Sequence, residues 1–209
     1  MKIKNIITAL ALTVTTSFGA STLNISNFSS ATIGLPVVTS TGSAAAAGTY
    51  YANPGFFTTT INWSTATASS IIAAFTTIDS TPLTGTTRTG LFTGQTFNGS
   101  LPGGFAGTPA YVLISDNSNF ALATKVAVYN AGVNFNAPDG AGNSAQSIAL
   151  IDSSKIVFGT LTSVTTQPSN LTGANFATGV QLIGAAVPET STSLLGALGA
   201  LALLRRRRN

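Results

Sequence analysis

The chain has 209 residues, 44% of them hydrophobic and only 7% charged, with no Cys, no His, one Met and one Trp. That length suits one domain with tails, and the missing side chains exclude disulfides, thiolate nucleophiles, Cys/His zinc sites and imidazole triads. The net charge of +4 sits at the ends: Lys2, Lys4, Arg205, Arg206, Arg207 and Arg208 are six of the nine cations, so the body lacks the phosphate-neutralising cluster that a nucleic-acid partner requires.

In chain order, residues 1–20 have a cationic start, an apolar run over 6–14 and small residues at Ser17, Gly19 and Ala20. This layout predicts a secretory signal peptide cut after Gly19 or Ala20, the alternative being an N-terminal core strand or helix. Residues 23–26 and 31–38 read as strands, 40–48 as an exposed loop, and Ala52-Asn53-Pro54-Gly55 as a turn. Helical spacing of Ile71, Ile72, Phe75 and Ile78 predicts a helix over 65–78 with Ser64 as its N-cap, and Asp79 would stand at its unfavourable C-terminal end. Residues 84–90 read as a second exposed loop, and Leu101-Pro102-Gly103-Gly104 as a turn. The apolar run 111–114 predicts a strand covered on both faces. Alternation over 124–130 places Val126 and Val128 on one face and Lys125, Ala127 and Tyr129 on the other. Beyond a turn at Ala137-Pro138-Asp139-Gly140, residues 147–151 and 155–160 flank Asp152-Ser153-Ser154 as a β-hairpin, and 179–186 form a last strand.

Short strands at this spacing predict a mainly β fold: a single antiparallel β-sandwich or jelly-roll-like domain over 21–186 with one short helix. Phe28, Phe56, Phe57, Trp63, Phe75, Phe92, Phe105, Phe158 and Phe176 are enough large side chains to fill its core.

Catalytic chemistry has little to work with. Glu189 is the only glutamate, so paired carboxylates would have to come from Asp79, Asp116, Asp139 and Asp152, which mostly fall at predicted turns where aspartate has a structural role. A serine nucleophile could use only Lys125 or Lys155 as base, and no Gly-x-Ser-x-Gly elbow or Walker loop is present. Calcium could be argued at Asp116-Asn117-Ser118-Asn119 or at Asp139-Gly140 with Asn143, but each cluster holds a single carboxylate and reads first as a turn. The sequons at Asn24, Asn27, Asn62, Asn98 and Asn170 occur at the frequency expected by chance. No catalytic residue, metal or cofactor is therefore expected. Tyr50 and Tyr51 could stack on sugars, although adjacent strand residues face opposite ways and one of the two is normally core.

The C-terminus reads Val187-Pro188-Glu189-Thr190, a Ser/Thr step, eleven apolar residues over 194–204, then Arg205, Arg206, Arg207, Arg208 and Asn209. As a helix that apolar run spans about 16 Å, and about 22 Å with the uncharged residues from Thr190, short of a bilayer core without tilt or thinning. The arginines fix its orientation with their side cytoplasmic and Pro188 and Glu189 outside. A plain membrane anchor and a buried helix are the alternatives, and four consecutive arginines argue against burial.

This tail, residues 187–209, resembles the PEP-CTERM sorting signal of Gram-negative bacteria. In that family a Pro-Glu-Pro motif, a short Gly/Leu-rich membrane helix and a basic end are recognised by exosortase, a membrane-embedded cysteine protease. Val187, Pro188 and Glu189 match the motif, and Thr190 stands where the second proline is usual. The body also looks like the small, Ser/Thr/Gly-rich, Cys-free proteins that carry this tail, in segments such as Asn27-Phe28-Ser29-Ser30 and Gly107-Thr108-Pro109-Ala110-Tyr111-Val112. The resemblance implies an exported cell-envelope or extracellular-matrix protein, anchored in the inner membrane until processed. Its partners would be the export machinery and an exosortase-like protease, with extracellular polysaccharide as a candidate. A secreted carbohydrate-binding β-sandwich module is the alternative reading.

Overall fold

A computed structural model of the chain describes residues 21–78, 81–85, 87–99, 105–136 and 145–184. They form a mainly β structure with one α-helix. The elements are β1 (Ser21–Ser26), β2 (Val37–Val38), β3 (Tyr51–Phe57), α1 (Ala68–Ala74), β4 (Phe75–Thr77), β5 (Leu83–Thr84), β6 (Thr93–Gly99), β7 (Pro109–Ser115), β8 (Lys125–Asn134), β9 (Ala145–Ala149), β10 (Ile156–Phe158), β11 (Thr160–Ser163), β12 (Thr178–Gln181) and β13 (Ile183–Gly184).

The largest sheet runs β10-β8-β7-β3-β4, with β13 also on β8 and β5 also on β3, and two three-stranded sheets run β6-β1-β9 and β11-β12-β2. Pairing is antiparallel except for β1 with β9 and β2 with β12, which are parallel. The strand predicted over 31–38 is reduced to Val37–Val38, and that over 179–186 is split between β12 and β13.

β7 and β8 show why the large sheet holds. Val112, Ile114, Ala127 and Tyr129 enter a core shared with Leu23 and Ile25 of β1, Val37 of β2, Ile148 of β9 and Val180 of β12, so all three sheets meet there. Leu113, Val126 and Val128 point to the opposite face and pack with Ala68 and Ile71 of α1 and with Phe75. Both faces of these central strands are thus dry, as the apolar run 111–114 predicts for β7, and on β8 Val126 and Val128 face away from Ala127 and Tyr129, as the alternation over 124–130 predicts.

Four other expectations need correction. The helix is shorter than 65–78 at both ends. Thr67, not Ser64, caps it: Thr67 and Ser70 form a reciprocal capping box, Ser70 N donating to Thr67 Oγ1 at 3.2 Å and Thr67 N to Ser70 Oγ at 2.9 Å. Ser64 is instead held by Asn62 Oδ1. The helix stops at Phe75 because that residue and the β-branched Thr76 and Thr77 pair with Phe57, Phe56 and Gly55 of β3, and a sheet ladder suits such side chains better than another helical turn.

The segment Ala52-Asn53-Pro54-Gly55 is no turn but the buried middle of β3. β3 changes partner on one side between Ala52, paired with β5, and Gly55, paired with β4. Pro54 sits at that gap. Its carbonyl accepts from Ile78 N at 3.0 Å and Thr77 Oγ1 at 3.1 Å, but it has no N–H to return a bond to Ile78, and the β3–β4 ladder ends at Gly55 and Thr77.

The predicted hairpin also fails. Asp152 caps a single 3-10 turn, its Oδ1 accepting from Ser154 N at 2.9 Å, but β9 joins β1 while β10 joins β8, so the turn passes the chain from one sheet to another. Finally, the loops at 40–48 and 84–90 are not exposed throughout: Gly42, Gly85 and Gly90 are buried and Ala45 packs on the core. A β-carbon at Gly85 would overlap the Leu91 carbonyl oxygen and the Tyr50 hydroxyl, so the loop closes over that tyrosine. The turns predicted at 101–104 and 137–140 lie outside the described residues.

Candidate functional site

The expected sorting residues Val187, Pro188 and Glu189, the basic block Arg205, Arg206, Arg207 and Arg208, the apolar run 194–204 and the signal peptide 1–20 all lie outside the described residues. Among those described, no helix is long and apolar enough to cross a membrane.

The described carboxylates serve turns. Burial raises the Asp116 carboxyl, but the Thr124 hydroxyl and the Lys125 and Thr124 amides donate to it and together hold its pKa below the ordinary value. Asp152 is held low by the Ser154 hydroxyl and amide, with Lys155 adding a little. The neighbours of Asp116 are likewise occupied locally, Asn117 Oδ1 accepting from Asn119 N and Asn119 Oδ1 from Ala121 N. No group of three or more His, Cys, Asp or Glu comes together among the described residues. Asp79 and Asp139 lie outside them.

Two of the three described cations, Lys155 and Arg88, are structural. Lys155 Nζ donates to the Ala131 carbonyl at 3.1 Å. Arg88 lies over the Phe28 ring at 5.2 Å and donates through Nε to the Asn170 carbonyl. Lys125 is exposed.

Tyr50 and Tyr51 do not form a sugar platform. Tyr50 is wholly buried, its hydroxyl donating to the Arg88 and Leu91 carbonyls, and burial pushes its pKa well up. Tyr51 is half-buried and donates to Gly48 O at 2.9 Å. Asn27, one of the sequon asparagines, is fully buried and unreachable for modification in the folded protein.

What sequence reading missed is a cleft of about 310 Å³ beyond the end of β3, lined by Phe57, Thr58, Thr59, Thr60, Ile61, Trp63, Pro109 and Tyr111. Phe57, continuing β3, sets the orientation of its rings. Its ring lies 5.3 Å from Trp63 and 5.0 Å from Tyr111, nearly perpendicular to both, while Trp63 and Tyr111 are 5.9 Å apart and tilted by 39°. Phe75 and Phe120 extend the same network beneath α1. The only local signal was an aromatic pair running into three consecutive threonines and then the sole tryptophan; the 47 residues between Trp63 and Tyr111 hid the rest.

Comparison with protein-family models, with curated proteins and with solved structures matches this chain to none of them.

Proposed function

We propose that the chain is an exported cell-envelope or extracellular-matrix protein whose address is carried by its two ends and whose mature domain, residues 21–186, has no catalytic role. The observation that carries this reading is the placement of charge. Six of nine cations flank the two terminal apolar runs, while the residues between 21 and 187 hold only Arg88, Lys125 and Lys155 against four aspartates. Residues 1–20 act as the signal peptide. Residues 187–209 act as the sorting signal, with Val187, Pro188 and Glu189 presented to an exosortase-like protease while 194–204 lie in the membrane and the arginines stay cytoplasmic.

For the mature domain we favour a β-sandwich or jelly-roll-like arrangement. The core in which all three sheets meet supports it, with the large sheet as one layer, the two small sheets as the facing one and α1 on the outer face of the large sheet.

Intact-mass analysis of the exported protein tests both ends at once, and an epitope in the exposed turn at Gly173, where a β-carbon would meet nothing within 4 Å, allows it to be followed by fractionation. The expected product lacks residues 1–20 and the arginine tail. Retention of the protein in the cytoplasm refutes export, and an arginine tail persisting on exported protein refutes processing.

A further inference from the structure

We propose that the cleft between Trp63 and Tyr111 is a binding site for a neutral saccharide. Its volume, about 310 Å³, lies at the small end of the range for ligand pockets and suits a short oligosaccharide segment rather than a bulky cofactor.

Three observations select the ligand class. First, the lining pairs ring surfaces with hydroxyls: Trp63, Tyr111 and Phe57 on one hand, Thr58, Thr59 and Thr60 on the other. A pyranose offers the complement, with C–H groups on its faces and hydroxyls around its rim. Second, no Asp, Glu, Lys or Arg lines the cleft. A phosphate, a carboxylate or an amine would lose its hydration there and gain no counter-charge, whereas a neutral polyol loses little. Third, the polar groups at the cleft are free to act. Tyr50, Tyr51 and Tyr129 all donate their hydroxyls to backbone carbonyls. Among the described residues the Tyr111 hydroxyl, the Trp63 indole N–H and the hydroxyls of Thr58, Thr59 and Thr60 have no such partner. Open to solvent, these groups can exchange hydrogen bonds with water for equivalent bonds with sugar hydroxyls.

Preorganisation strengthens the case. Phe57 meets both Trp63 and Tyr111 nearly edge to face, and all three rings pack on the core beneath α1, so their orientation is fixed before a ligand arrives. The cavity of about 330 Å³ beside β1, lined by Asn24, Thr93, Ser147 and their neighbours, has no ring among its lining residues. Binding at Trp63 needs neither processed ends nor export, so failure of that reading leaves this one standing, and the reverse.

Trp63 is the only tryptophan, and its fluorescence therefore reads this cleft directly. The folded protein is titrated with neutral oligosaccharides (cellohexaose, maltohexaose, mannohexaose), with an acidic one (oligogalacturonate) and with hexaproline, since an aromatic groove can also take a polyproline helix. The expected result is a saturable change in Trp63 emission with at least one neutral sugar. Affinity should fall about tenfold or more, a loss of about 1.4 kcal/mol, in Tyr111→Ala, and should be unchanged in Tyr51→Ala, which lies off the cleft. Should Tyr111→Ala fail to fold, the exposed substitutions Thr58→Val, Thr59→Val and Thr60→Val together carry the test, with weakened binding expected. The proposal is overturned if no neutral sugar changes the emission, if oligogalacturonate or hexaproline binds in preference, or if the cleft variants bind as the unaltered protein does.

Discussion

Replacing Asn27 with alanine should destabilise this domain, and the structure says how much. Asn27 is fully buried just after β1. Its Nδ2 donates to Leu35 O at 3.0 Å and Gly90 O at 2.8 Å, and its Oδ1 accepts from Phe92 N at 2.8 Å. These three bonds tie the excursion from 28 to 34 to the segment entering β6. In Asn27→Ala, Gly90 O keeps the amide of Val37, but Leu35 O and Phe92 N lose the partner that the side chain gave them inside the core. An orphaned buried group costs roughly 1–3 kcal/mol, so two cost about 2–6 kcal/mol, much of the stability of a typical domain. Urea unfolding checks the figure, followed by Trp63 fluorescence and far-UV circular dichroism, whose midpoints should coincide. Asn27→Asp sharpens the test. It keeps the acceptor for Phe92 but aims a carboxylate oxygen at two carbonyl oxygens, which raises the folded-state pKa above its unfolded value. Its stability should therefore be greatest in acid and fall as pH rises through the folded pKa. A loss below about 1 kcal/mol in Asn27→Ala at unchanged m-value, or an Asn27→Asp variant no less stable at neutral pH than in acid, refutes the reasoning.

Three further outcomes are expected. Ile71→Ala empties the only fully buried large side chain of α1 and should destabilise by about 2–5 kcal/mol in the same urea assay. The Asp116 carboxyl is held below its ordinary pKa of 3.8, so its contribution is present above that value and lost as pH falls through the folded pKa; Asp116→Asn should flatten the acid limb of the pH–stability curve while lowering stability at neutral pH. Burial raises the phenols of Tyr50 and Tyr129, so tyrosinate absorbance in an alkaline titration should show these two of the four tyrosines ionising late, together with unfolding.

The parts of the fold legible in the sequence are those where local pattern and tertiary packing demand the same thing. Val126, Ala127, Val128 and Tyr129 alternate between two cores, and a period of two in the sequence is enough to show which of them share a face. Where the two demands differ, tertiary packing prevails. Ala52-Asn53-Pro54-Gly55 has the composition of a turn, yet the side chain of Asn53 finds Leu113 O and Ser115 Oγ inside the sheet, and Pro54 stands where the β4 ladder on β3 ends. Asp152-Ser153-Ser154 does turn the chain, but which strands it serves is decided by Ile148 joining the core beside β1, a contact between distant segments. The cleft was hidden for the same reason. Trp63 and Tyr111 each looked like core, and only the register of Gly55 against Tyr111 in the β3–β7 ladder brings the two rings to one end of the sheet.

The scarcity of charge has a structural counterpart in the way polar side chains are spent. Asn27 and Asn53 brace buried backbone, Gln167 exchanges two bonds with the Phe176 backbone, Gln146 bridges the Asn134 carbonyl and the Asn136 amide, and Asp116 and Asp152 cap turns. With strands as short as two residues, much of the backbone lies outside ladders and needs such partners. Amides and hydroxyls satisfy it without the desolvation cost that ion pairs would bring. What this leaves at the Trp63 cleft is chemistry that salt does not screen. Recognition there rests on ring faces and hydroxyls, so its affinity should be the same at low and high ionic strength, whereas any partner steered by charge would weaken as salt rises.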